Sequence, residues 1–180
     1  MSADRITYCL ERVSSYRDFE RLCSGLLAGT DYPGIDPLGG TGDGGRDAII
    51  RSDSNGRKIV FAYTVRGDWK TKLKSDCARV REQAHNPDLF VFVCTEALNA
   101  AEKDGAHELV RSEFGWKLDL FDLERLRVLL VGPHRHLLAQ HPSIFTPPFF
   151  PRAGRKAFPS HQWNRLSYRQ LPFSPLSDKS

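Results

Sequence analysis

Apolar positions recur along the chain in two rhythms, one helical and one extended. Tyr16, Phe19, Cys23, Leu26 and Leu27 are spaced to share one side of a helix, which predicts helix over residues 14–28. Ser14 or Ser15 suits its N-cap and Gly29 its end. The rhythm then shortens. Residues 34–38 and 46–51 read as short strands separated by the glycine-rich run 39–45. Asn55-Gly56 lies in a turn over 52–56 and is a hairpin signal. Residues 58–65 form a third strand, and the run Ile59-Val60-Phe61-Ala62 predicts burial on both faces.

A helix follows over 69–83, rich in lysine and arginine, and Asn86-Pro87 breaks it. Residues 89–95 are almost wholly apolar, as in a central strand of a covered sheet. Residues 97–114 read as helix and 116–121 as strand. A further helix spans 122–131 with Asp122 as its cap, and a short one 134–140. This order of elements implies an α/β domain, a mixed β-sheet flanked by helices on both faces. From Pro142 onward, prolines alternate with aromatics such as Phe145, Phe149, Trp163 and Tyr168. Proline at that density disfavours regular structure. The expected organisation is therefore a domain over 1–141 and a proline- and aromatic-rich extended arm or linker over 142–180.

A chain of 180 residues with 40% hydrophobic side chains can bury one sizeable core. The formal charge of +4 permits nucleic-acid binding without demonstrating it. No apolar run approaches the roughly 20 residues that span a bilayer, and the first ten lack a signal peptide's apolar centre. Cys9, Cys23, Cys77 and Cys94 form no CxxC pair and read as small buried hydrophobes in a reducing compartment. A cytoplasmic protein is expected, with no membrane partner.

Two carboxylates stand out. Glu20 falls in line with Tyr16, Cys23 and Leu27 on the first predicted helix. A carboxylate within an apolar stripe is costly unless it is paired or binds a metal. Asp47 follows the glycine-rich run at the start of a strand. The plainer alternatives are an edge glutamate paired with arginine and a turn aspartate. Asp68, Lys70 and Lys72 lie just after the third strand, where Asp68 equally suits an N-cap. Lys70, Lys72, Lys74, Arg79 and Arg81 make the next helix basic, which suits phosphate contacts or simply a solvated face. The glycine-rich run lacks the GK[ST] ending of a P-loop, and no helix follows it as a dinucleotide site requires. His134, His136 and His141 lack zinc-site spacing and read as a surface helix.

Taken together, these segments resemble a known family. Tyr16-Arg17-Asp18-Phe19-Glu20, Gly42-Asp43-Gly44-Gly45-Arg46-Asp47-Ala48 and Val60-Phe61-Ala62-Tyr63-Thr64-Val65-Arg66 are similar to the core of the PD-(D/E)xK nucleases, in particular their Mrr-like branch. Trp116-Lys117-Leu118-Asp119-Leu120-Phe121 and the helix after it look like that family's closing elements. The resemblance implies a restriction-endonuclease-like αβββαβ core and a Mg²⁺-dependent DNA endonuclease, with Mn²⁺ able to substitute. It implies Asp47 and Glu20 as metal ligands. Arg46, Arg66, Lys70, Lys72 and Lys74 would contact DNA. It also implies an effector of the prokaryotic defence type, joined to a sensor or NTPase module and acting as a homodimer or larger oligomer.

The chain departs from the pattern on the third strand. Ala62 stands where a Glu or Gln is expected and Thr64 where the lysine is expected. Three explanations compete at this point. The domain is a catalytically silent nucleic-acid-binding or assembly module, or Ala62 is a disabling substitution, or the missing groups have moved to Asp68, Lys70 and Lys72.

Overall fold

The computed structural model describes residues 1–38 and 46–146. The glycine-rich run 39–45 and residues 147–180 of the expected arm lie outside the described residues. Met1–Pro147 forms one compact unit.

Two helices open the chain, α1 (Ala3–Glu11) and α2 (Tyr16–Ala28). The sequence reading passes over α1, yet Ile6, Cys9 and Leu10 form a buried stripe at helical spacing, and Ser2 Oγ caps it by accepting from the Arg5 amide. Ser15, rather than Ser14, caps α2 by accepting from the Asp18 amide. Gly29 ends α2 as expected, though not through left-handed backbone, since its φ is −83°. His134 lies against it, and a Cβ at Gly29 would come within 2.9 Å of the His134 ring. His134 is accordingly buried rather than on a surface helix.

The sheet has five strands in sequence order: β1 (Asp36–Pro37), β2 (Ala48–Ile50), β3 (Ile59–Thr64), β4 (Leu89–Cys94) and β5 (Lys117–Phe121). β1, β2 and β3 are antiparallel neighbours, whereas β3, β4 and β5 run parallel. Asp53 organises the turn between β2 and β3, where its carboxylate accepts from the Asn55 and Arg57 amides and Gly56 takes a φ of +75°. The parallel half needs crossovers, and α3 (Trp69–Glu82) and α4 (Ala100–Phe114) supply them. α5 (Leu123–Val131), α6 (Leu137–Gln140) and α7 (Pro142–Phe145) close the domain. Asp122 caps α5 as expected and ties it to the rest. Its buried carboxylate accepts from the Arg125 and Leu98 amides and pairs with Lys103 Nζ at 2.7 Å.

Side chains alternate across the sheet and build two cores. Phe61, Tyr63, Val91 and Val93 pack with α1, α2 and α5 on one face. Val60, Ala62, Phe90 and Phe92 pack with Trp69, Leu73 and Cys77 of α3 and Val110 of α4 on the other. The mixed, two-sided sheet matches the α/β expectation. One correction falls at Pro142, where an extended arm is expected and a helical turn is found. Proline is tolerated at a first helical position because its missing amide has no partner to lose there. Ile144 and Phe145 then bury in the α1–α2 core. All four cysteines are free and buried.

Candidate active site

β3 gives the site its floor. Asp47 is bonded into both neighbouring strands, as its amide donates to the Phe61 carbonyl at 2.8 Å and its carbonyl accepts from the Leu38 amide at 2.8 Å. With its amide on Phe61 and its carboxylate accepting from the Tyr63 amide, Asp47 lies along the segment of β3 that contains Ala62. The fold thus sets Asp47 beside the strand positions where the second acidic residue and the lysine are expected. Ala62 is fully buried in the apolar core facing α3. Thr64 is also buried, and its hydroxyl accepts from the Arg66 amide at 3.1 Å.

Asp47 is 7% exposed, and both carboxylate oxygens accept hydrogen bonds. The Tyr16 hydroxyl donates to Oδ1, and the Tyr63 amide donates to Oδ2 at 2.5 Å. Burial pushes the carboxyl up to about 6. The two hydrogen bonds oppose that rise, Asp76 adds to it and Lys72 opposes it. Asp47 therefore feels two side chains of α3. Those two meet each other, since Lys72 Nζ lies 2.5 Å from Asp76 Oδ1, and Asp76 is fully buried. Glu20 is half-buried on α2, and its negative charge helps raise Tyr16, Cys23 and Tyr63. Tyr16, at the start of α2, feels Asp47, Glu20 and Asp76 together.

The remaining predicted residues spread outward. Asp68 does not cap α3 with its side chain. It lies exposed in a bidentate pair with Arg66, at 2.7 and 2.5 Å. Lys70 is exposed, and Lys74 pairs with Glu113 of α4 at 2.7 Å. Arg46 is half-buried beside Asp47 in sequence. Of the lysines proposed to replace the strand lysine, Lys72 is thus the one whose charge reaches Asp47, whereas Asp68 turns to Arg66.

Asp76 and the Tyr16 hydroxyl escape the sequence reading. A signal for Asp76 exists, because Trp69, Leu73, Cys77 and Val80 form an apolar stripe on α3 with Asp76 inside it. This is the pattern that singles out Glu20 on α2. No comparable signal marks Tyr16, whose ring reads as part of a stripe while its hydroxyl reaches Asp47, 31 residues away.

Hard carboxylate oxygens suit Mg²⁺, which is commonly held by one or two carboxylates with water and substrate phosphate completing its shell. Asp47 offers a donor of that kind, and the charge of Asp76 on α3 acts on it. Among the described residues no group of three or more His, Cys, Asp or Glu side chains is arranged to hold a metal ion.

No curated protein and no solved structure matches the chain. The family model of the Mrr catalytic domain, described as restriction endonuclease, matches residues 11–130, two-thirds of the chain and all five strands. With its mixed sheet and an aspartate set beside the third strand, the chain belongs to the restriction endonuclease family of the PD-(D/E)xK type.

Proposed function

We propose that this domain is a Mg²⁺-dependent DNA endonuclease in which Mn²⁺ can replace Mg²⁺. The observation that carries this reading is Asp47, a buried carboxylate just ahead of β2, aligned by the Tyr16 hydroxyl and the Tyr63 amide and within the electrostatic reach of Lys72 and Asp76 of α3. Asp47 would hold the cation, with Glu20 contributing from α2. The bound metal would neutralise the phosphate and acidify a water. The protein's own part is to fix the carboxylate. Tyr16 and Tyr63 hold Asp47 in one orientation. Arg46, Arg66, Lys70 and Lys74 would contact the DNA backbone. The Arg66–Asp68 and Lys74–Glu113 pairs are exposed, so a phosphate can displace them at little cost.

The wider reading follows the family. The domain would act as an effector in the cytoplasm of a prokaryote, in a defence-type protein that carries a sensor or NTPase module. Two copies would be needed to cut both strands. A second reading, a silent DNA-binding or assembly module on the same fold, is favoured by one observation, the burial of Ala62 and Thr64 at the expected catalytic positions. Plasmid incubated with the chain in Mg²⁺, Mn²⁺ or EDTA separates the two. Nicked or linear product in either metal but not in EDTA supports the nuclease. Salt-dependent DNA binding without cleavage in any divalent metal supports the silent module.

A further inference from the structure

The strand positions at Ala62 and Thr64 leave the nuclease reading short of one carboxylate and one cation. The opposite wall of the site carries both. Lys72 and Asp76 lie one turn apart on α3, on the side that packs against the sheet. Asp76 is fully buried among Trp69, Leu73, Cys77 and Val80, and Lys72 Nζ lies 2.5 Å from its Oδ1, with the Lys72 side chain 19% exposed. A buried ion pair costs desolvation that its own attraction seldom exceeds, so its presence in an otherwise apolar contact calls for another role.

Asp47 is hydrogen-bonded to Phe61 and Tyr63 of β3, on either side of Ala62, and Ala62 packs in one apolar core with Trp69, Leu73 and Cys77 of α3, the helix that carries the pair. The charge of Asp76 acts on Tyr16 of α2, on Asp47 ahead of β2 and on Arg66 after β3. Lys72 acts on Asp47 as well. Ala62 completes the arrangement, as its methyl group packs in the same core as Trp69, Leu73 and Cys77. A long side chain at position 62 would project into α3, where these residues already fill the space.

We propose that Lys72 and Asp76 of α3 take over the roles that β3 leaves vacant at Thr64 and Ala62, with Asp76 joining Asp47 as the second acidic ligand and Lys72 aligning the attacking water at the phosphate. This inference rests on the nuclease reading above. The reaction served is hydrolysis of a phosphodiester. A water oxygen bonds to phosphorus and the bond from phosphorus to one sugar oxygen breaks. The water's proton passes to solvent, and the departing oxygen takes one from solvent. Lys72 keeps its proton throughout and acts as a hydrogen-bond donor.

The test measures Mn²⁺ binding by calorimetry and plasmid cleavage for the full chain and for Asp76→Asn, Lys72→Met and Asp47→Ala, with circular dichroism as the check on folding. Asp76→Asn is expected to weaken Mn²⁺ binding by about 10-fold or more, as removal of a ligand or its support does. Lys72→Met is expected to leave Mn²⁺ binding within about 3-fold of the parent while cutting cleavage by about 100-fold, the scale for losing one positioned hydrogen-bond donor. A purely structural ion pair would not split the two readouts in that way. Should Asp76→Asn fail to fold, the double variant Lys72→Met with Asp76→Leu replaces the pair with apolar groups, and it must then lose both Mn²⁺ binding and cleavage. If the parent binds Mn²⁺ and cleaves, Asp47→Ala does neither, and the α3 variants match the parent, this inference is overturned and the nuclease reading stands. If the parent neither binds Mn²⁺ nor cleaves, the nuclease reading itself falls and this inference falls with it.

Discussion

Asp47 is held in place at a cost to stability. Its carboxyl is raised from an ordinary 3.8 to about 6, chiefly by burial, so the folded protein retains a proton that the unfolded chain releases. The unfolded state binds fewer protons across that window, and stability therefore falls as pH rises from about 4 to about 6. Above pH 6 the full penalty is present, on the order of 2–3 kcal/mol at most. Asn at this position keeps the shape, accepts from the Tyr63 amide and donates to the Tyr16 oxygen. Asp47→Asn is accordingly expected to melt several degrees higher than the parent at pH 7.5 in chelator, with the advantage vanishing near pH 4. Thermal melts across that range would check this, and an unchanged or lower melting temperature at pH 7.5 would contradict it. Asp47 and Glu20 stand out in the sequence as candidates because of where each falls, at a strand start and within a helical stripe. The Tyr16 hydroxyl does not, because its meaning arises only when α2 packs against β3.

Among the elements, α2 to α5 and the strands are predictable from spacing and caps, since their apolar stripes and their Ser15, Asn99 and Asp122 caps act locally. α1 is less evident because Asp4, Arg5, Glu11 and Arg12 surround a stripe of only Ile6, Cys9 and Leu10. α7 contradicts the composition around it because a proline at a helix start breaks nothing. The pairing of β3 with α3 lies beyond sequence reading altogether. It makes the absence of a ligand at Ala62 and the carboxylate at Asp76 two sides of one packed surface. Restoring the family's strand residues tests this. With α3 already filling the space above β3, Ala62→Gln combined with Thr64→Lys is expected to lower stability by about 1–3 kcal/mol, the usual cost of overpacking, and not to raise cleavage. Urea denaturation and plasmid assays measure the two effects, and a gain of cleavage in the double variant would favour a degenerate strand site over one rebuilt on α3.

At the scale of the whole molecule, the net charge of +4 is modest, and its placement matters more than its size. Lys70 and Lys74, in the first two turns of α3, are exposed, as is Arg66 ahead of that helix. No helix among the described residues is long and apolar enough to cross a membrane. If this rim follows the phosphate backbone, Lys70→Ala with Lys74→Ala should weaken DNA binding evenly across sequences. The slope of log K against log salt should fall by about 2, one unit for each phosphate that is no longer neutralised. Fluorescence anisotropy over a salt series reads this directly, and an unchanged slope would remove α3 from the DNA interface.

The most direct test of the central claim is cleavage of supercoiled plasmid by the parent chain and by Asp47→Ala, at matched concentration, in Mg²⁺ and in Mn²⁺. The nuclease account predicts nicked and linear product from the parent, at least about 100-fold less from Asp47→Ala, and DNA binding retained by both. Cleavage that persists undiminished in Asp47→Ala, or a well-folded parent that binds DNA and never cuts it in either metal, would contradict it.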